Sequence, residues 1–266
     1  MRQLEEQEIK KRLVNLLVDF ASYCDEHDLH YHLTGGTLLG AARHQGFIPW
    51  DDDIDVSMPR PDYDRFIQLK KEDKATNILC IENENADYPF LKIVDQQTVV
   101  KQDNLALNKA LGLWIDVFPH DGWAQNERRA FKSLLWLRIW KSILPYTKAQ
   151  VGCGTTKLRM ILKIPVILFA KCIGSCNIVR AMDKLARKYS YDDSEWIGNF
   201  VWASYGLRER VPKDWYSQSL KLQFEGKSFW VPYKWEEYLT SIYGNYMKLP
   251  PEEKRVTHNM VAYVKE

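Results

Sequence analysis

Four of the five residues from Asp51 to Asp55 are aspartates, and apolar side chains frame them on both sides. No other feature of the chain constrains its fold as tightly. Phe47, Ile48, Pro49 and Trp50 precede the cluster, and Ile54 and Val56 run through it. Residues 53–58 therefore read as a half-buried strand rather than a solvated acidic turn. Side-chain direction in a strand repeats every second residue, so Asp53 and Asp55 share a face, and Asp51 joins them if the strand extends back. Two carboxylates about 4 Å apart repel by about 4 kcal/mol at an effective dielectric of about 20. A fold keeps such a pair with a bound cation or a raised pKa. Oxygen-only ligands suit Mg²⁺ or Mn²⁺, which also bridge phosphates.

Ahead of the cluster, residues 29–33 alternate like a short strand and run into Thr34-Gly35-Gly36-Thr37. Residues 37–43 read as the first turns of a helix that Gly46 stops. A strand, Gly-Gly-Thr, helix turn points backbone N–H groups at a helix N-terminus, a place suited to phosphate. Gly35, Gly36 and Thr37 are thus candidate phosphate contacts, with Arg43 within reach as a cationic clamp. Each element alone is a weak signal, but an acidic strand beginning seventeen residues after Gly36 makes them a pattern. A two-metal clamp needs a third carboxylate. Asp116, inside the apolar run Leu113-Trp114-Ile115-Asp116-Val117-Phe118, is the candidate. Its alternative is a buried Asp satisfied by backbone donors, since an unpaired carboxylate is costly to bury. His120 and Asp121 follow closely enough to line the same site.

Elsewhere, three- and four-residue spacing predicts an amphipathic helix over residues 3–27, and a second helix over 61–71 opens with Pro61. Residues 78–81, 90–94 and 113–118 read as strands. Residues 128–144 and 157–189 read as helices, with a turn at 152–154. A hairpin is expected at 224–227 and a helix over 234–243. The fold class is α/β (α+β): a short mixed sheet flanked by helices.

A chain of 266 residues fits one large domain or a catalytic domain with an insert. The net charge of +2 hides an uneven distribution, because fourteen Lys or Arg face the single Asp183 between Arg128 and Lys188. The expected division is a catalytic core over 1–125, a basic helical insert over 126–190, and a part over 191–266 that completes the core. Leucines, isoleucines, Trp136, Trp140, Phe131 and Phe169 interleave with the basic residues. That composition fits an anionic membrane surface, a helical subdomain packed on the core, or a groove for an acidic glycan. It does not form the polar stripe of a nucleic-acid binder. Five cysteines without a CxxC pair argue against a disulfide framework or a zinc site. Cys172 and Cys176 share a helix face as simple burial would have it. The charged start MRQLEEQEIKKR is unlike a signal peptide and leads to the expectation of a cytoplasmic protein, peripheral on the membrane at most.

The stretch GGTLLGAARHQGFIPWDDDIDVSMPRPDYDRF resembles the LicD family, the group that includes fukutin-related proteins. The resemblance continues in LKIVD, WIDVFPHDGW, FEGKSFWVP and YLTSIYGNYMKLPPEEKR. It implies a nucleotidyltransferase-type core and transfer of phosphocholine, or a related phospho-group, from a CDP-linked donor such as CDP-choline. The acceptor it implies is a hydroxyl of a cell-surface glycan of the lipopolysaccharide or teichoic-acid kind, free or lipid-linked. It further implies that Asp53 and Asp55 are the metal-binding pair, Asp116 the third acidic position and Asp51 an accompanying carboxylate. Lys92 becomes either a phosphate contact or an exposed strand lysine; Lys254, Arg255 and His258 carry no assignable role, and His258 reads as structural. The competing readings are an Asp-x-Asp nucleotide-sugar glycosyltransferase, which would carry a longer nucleotide-binding half before its Asp pair, and a non-catalytic membrane-associated member of the fold.

Overall fold

The computed structural model describes residues 1–83, 87–101, 111–149, 157–255 and 261–265. In chain order the strands are β1 (Arg2–Gln3), β2 (His32–Leu33), β3 (Asp55–Pro59), β4 (Ile78–Leu79), β5 (Leu91–Val94), β6 (Thr98–Lys101), β7 (Trp114–Gly122), β8 (Trp196–Gly198), β9 (Val211–Pro212), β10 (Ser219–Phe224), β11 (Lys227–Pro232) and β12 (Val261–Val264). The α-helices are α1 (Glu6–Glu26), α2 (Gly35–His44), α3 (Arg60–Glu72), α4 (Glu127–Ile143), α5 (Lys157–Ile173), α6 (Ser175–Ala186) and α7 (Trp235–Tyr243).

A mixed sheet runs in the order β2-β3-β7-β5-β4, and β8 continues from the end of β7 to pair with β9. Its centre is the parallel pair β3–β7; the neighbouring pairs are antiparallel. A parallel pair needs a long crossover, and α3, β4, β5 and β6 supply it. β7 lies in the middle of the sheet and is buried almost throughout, as a strand covered on both faces should be. The helices α1 and α3 cover it, with Leu13, Leu17 and Phe20 of α1 and Phe66 of α3 fully buried in the main core.

Glu5 and Glu8 form a capping box that starts α1, and Arg2 pairs with Glu8 across the entry. The small sheet β1-β12-β6 ties the first residues of the chain to the last described ones. A second apolar cluster joins α4 and α6 to Phe90, Phe118, Trp123, Phe200 and Val201. The region expected to be one long helix over 157–189 is two, because the chain turns at Gly174 with φ +79°. The expected turn at 152–154 and His258 lie outside the described residues.

Candidate functional site

The sheet register builds the site. Asp55 on β3 is paired with Asp116 on β7, and Asp116 is paired across its other edge with Lys92 on β5. Residues directly opposite on neighbouring strands point to one face. A carboxylate, a carboxylate and an ammonium therefore stand in a row across three strands. Lys92 donates to Asp116 Oδ1 at 2.5 Å, with its side chain only 6% exposed. It is a buried ion-pair partner, not the exposed strand lysine that was one of its two readings. Asp116 is likewise not satisfied by backbone alone. Tyr88, Phe90 and Trp114 surround the Lys92 ammonium with rings 4.6, 5.2 and 4.4 Å from it.

The Gly-Gly turn closes over this row. Gly35 opens α2 with φ +54°, in the left-handed region where a side chain is strained. A Cβ there would sit 3.0 Å from Asp55 Oδ2, and a Cβ on Gly36 would sit 2.6 Å from Asp51 Oδ2. Both glycines thus lie directly against carboxylates. Thr37 Oγ1 accepts the Asp55 backbone N–H at 2.8 Å, fixing α2 to the start of β3. Thr34 precedes the helix in extended conformation, but its hydroxyl pairs with Tyr238 of α7 at 2.7 Å instead of capping the helix. Gln45, not Gly46, ends α2 in the left-handed conformation at φ +55°.

The strand is shorter than its alternation predicts. β3 begins at Asp55, so Asp51, Asp52 and Asp53 belong to the segment entering it. Asp51 and Asp53 nevertheless reach the same point electrically. Burial pushes the Asp55 carboxyl well above the usual carboxylate range, Asp53, Asp116 and Asp51 push it further, and Lys92 pulls against them. Asp116 is also raised, by burial first, with Lys92 pulling it back and Asp53 adding to the rise. Within the row itself, the two carboxylates of Asp55 and Asp116 share one ammonium in a poorly solvated place.

That oxygen-only donor chemistry suits a hard divalent cation. Among the described residues, however, no three His, Cys, Asp or Glu side chains stand together closely enough to enclose an ion as the chain is arranged. Asp116 faces its lysine instead.

Other expected residues are deployed differently. Arg43 lies in the last turn of α2, where its fork donates to Tyr246 O at 2.7 Å and its Nε to His44 Nε2 at 2.9 Å. Helix rise separates it from Gly36 by about 10 Å along the axis. Asp121 does not line the carboxylate row: it is buried in a two-pronged pair with Arg60, at 2.6 and 2.9 Å. His120 is buried against the ring of Tyr216, which His32 flanks as well, with centroids 4.9 and 5.3 Å away. Burial lowers both histidines to about 3. An open cleft of about 380 Å³ lies elsewhere, between α1 and the end of β5, crossed by the Arg12–Asp95 ion pair; it contains none of these carboxylates.

Sequence reasoning passed over Tyr205, Tyr238 and Tyr243. Tyr243 and Tyr205 stack edge to face at 5.2 Å, and the charges of Asp55 and Asp51 reach Tyr205. Their only sequence signal was position in an aromatic-rich C-terminal block. The hairpin β10–β11 also serves the site. Glu225 at its tip accepts the Phe47 N–H at 3.0 Å and donates its own N–H to Gln45 O at 2.9 Å, clamping the segment between α2 and the aspartates.

Residues 28–137 match the family described as LicD/FKTN/FKRP, nucleotidyltransferase domain. The lipopolysaccharide cholinephosphotransferase LicD of Haemophilus influenzae is 31% identical over 277 aligned residues, covering 99% of this chain and 100% of that protein. The uncharacterized protein RT0683 of Rickettsia typhi is 39% identical over 115 residues, 43% of this chain and 36% of its own length. Human ribitol 5-phosphate transferase FKRP is 48% identical over 42 residues, 16% of this chain and 8% of that protein.

Proposed function

The chain belongs to the LicD family, and from that premise we propose that it transfers phosphocholine, or a related phospho-group, from a CDP-linked donor to a hydroxyl of a lipopolysaccharide-type glycan. The observation that carries this reading is the packing of Gly35 and Gly36 onto Asp55 and Asp51, beside the register pair Asp55–Asp116. That packing supports the reading because the Gly-Gly turn and the carboxylates lie against each other.

In this reading Asp53 and Asp55, with Asp116, would hold Mg²⁺ or Mn²⁺, which when bound supplies positive charge against the donor phosphates. The amides of Gly35, Gly36 and Thr37 hold the phosphates, and Arg43 anchors the far end of α2 through Tyr246 O. Asp51 holds the turn in place from below Gly36. Lys92 keeps Asp116 oriented and contributes the charge nearest the phosphate. Asp116 takes the proton from the acceptor hydroxyl, which attacks the phosphorus bearing the transferred group; the bond to CMP breaks and CMP leaves. The raised pKa of Asp116 favours the proton-accepting role. Residues 1–125 and 191–266 do the chemistry, and residues 126–190 are a helical insert outside it.

The test is CMP release from CDP-choline, CDP-ethanolamine, CDP-glycerol and CDP-ribitol, with Mg²⁺ or Mn²⁺ and lipopolysaccharide as acceptor. Release from CDP-choline, lost with EDTA and in Asp55→Asn, is the expected result. Undiminished release in Asp55→Asn, or none from any donor with any glycan acceptor, would overturn the reading.

A further inference from the structure

We propose that the exposed apolar and basic faces of α4 and α5 dock on an anionic membrane surface. Thirteen large apolar side chains are exposed among the described residues, and seven of them lie on these two helices. α4 already buries Ala130, Ser133, Leu134 and Leu137 against the second apolar cluster and α6. It nevertheless presents Phe131, Leu135, Trp136 and Ile139 to solvent, Trp136 at 62% exposure. At about 3.6 residues per turn, Phe131, Leu135 and Ile139 form one row, and Arg128, Lys132 and Trp136 the adjoining one. Basic and apolar side chains therefore share a single face. α5 repeats the arrangement: Ile167 and Ala170 are buried, while Val166, Leu168 and Phe169 are exposed, with Lys171 exposed two residues on.

Charge chooses the occupant. Over α4, the described part of α5, and α6, the exposed charged side chains are basic apart from Glu127 at the start of α4. Asp183, the remaining acid, is held by Arg60 and Arg187 at 3.0 and 2.6 Å. A second copy docking through this face would set like charges against each other. Anionic headgroups complement it, and the apolar side chains enter the boundary between headgroups and acyl chains. The helices lie on the bilayer and do not cross it. Among the described residues no single helix is long and apolar enough to span a membrane, and the α5–α6 pair is bent by 79°. α6 has also spent its apolar face, burying Ile178, Val179, Met182 and Ala186 within the protein.

The test is flotation of the full chain with vesicles of phosphatidylcholine alone or mixed with phosphatidylglycerol. Binding to the anionic vesicles, roughly tenfold above that to phosphatidylcholine and weakened by salt, is expected. The paired substitutions Trp136→Ser with Phe169→Ser, and Lys132→Glu with Lys171→Glu, should each cut it by roughly tenfold. Thermal melting should hardly move, because these side chains are exposed. Three results would overturn the proposal: no binding to anionic vesicles, both variants binding like wild type, or a wild-type dimer in sedimentation velocity that Trp136→Ser with Phe169→Ser dissolves.

Discussion

The two ends of the β3–β7 strand pair carry the same kinds of charged side chain and treat them in opposite ways. At one end Asp55, Asp116 and Lys92 line up, two carboxylates to one ammonium, and Asp53 and Asp51 act on Asp55 as well. At the other, Asp121 meets both prongs of Arg60, whose third contact is Asp183, itself paired with Arg187. The second arrangement joins β7, α3 and α6, and each of its carboxylates, including Asp64 on Arg187, is held directly by a guanidinium. The first could be quieted by replacing one Asp with an apolar residue, yet the fold bears its cost. Carboxylates crowded against one another beside a backbone turn are what a site needs, whereas buried carboxylates each held by a guanidinium serve architecture.

The sharpest way to break this contrast is to neutralise one carboxylate at each end. Asp55→Asn should lower the transfer rate by roughly 10³-fold in the CMP-release assay while leaving the melting temperature equal or higher. Its folded pKa is raised, so ionisation of Asp55 costs stability above that pKa, and the amide removes the cost. Asp121→Asn should do the reverse. Urea unfolding should show a loss of about 3 kcal/mol, because Arg60 loses its main partner in a buried place. The folded fraction should keep near-normal turnover. Equal behaviour of the two variants would erase the distinction between the ends.

The buried histidines test how settled the framework around the strand pair is. His32 and His120 have folded pKa values of about 3, held down by burial, against about 6.5 unfolded. Between those values the unfolded chain binds more protons, so stability falls as pH drops below about 6.5. At pH 5 each histidine should cost about 2 kcal/mol relative to pH 7.5, measured by urea unfolding at both values. The smallest effect concerns the turn. Gly36→Ala must displace Asp51, and should lower turnover by roughly tenfold with a melting temperature close to wild type.

Much of this was legible in the sequence, and what was not has physical reasons. Alternation located β2 and β3, the strand readings at 78–81, 90–94 and 113–118 met β4, β5 and β7, and the turn at 224–227 met the β10–β11 hairpin; the helical readings met α1, α3, α4 and α7. Three aspects were hidden. Strands two residues long, such as β1 and β9, carry no period, and β1 pairs with β12 from the far end of the chain. Register is a long-range property: nothing near Asp116 says that Asp55 lies on one side of it and Lys92 on the other. The partner of Asp121 is also set by tertiary packing, so an Asp five residues after Asp116 looked like part of the same site. The aspartates themselves were the strongest signal, though their segment enters β3 as an irregular stretch rather than as strand, with Asp55 the first strand residue.

The central proposal is that the carboxylates at the Asp55 end bind a divalent cation. Calorimetric titration of Mn²⁺ into wild type and Asp55→Asn tests it most directly. The account predicts saturable binding to wild type that weakens at least roughly tenfold in the variant, while Asp121→Asn, studied where it remains folded, binds like wild type. Equal Mn²⁺ affinity in wild type and Asp55→Asn would contradict it.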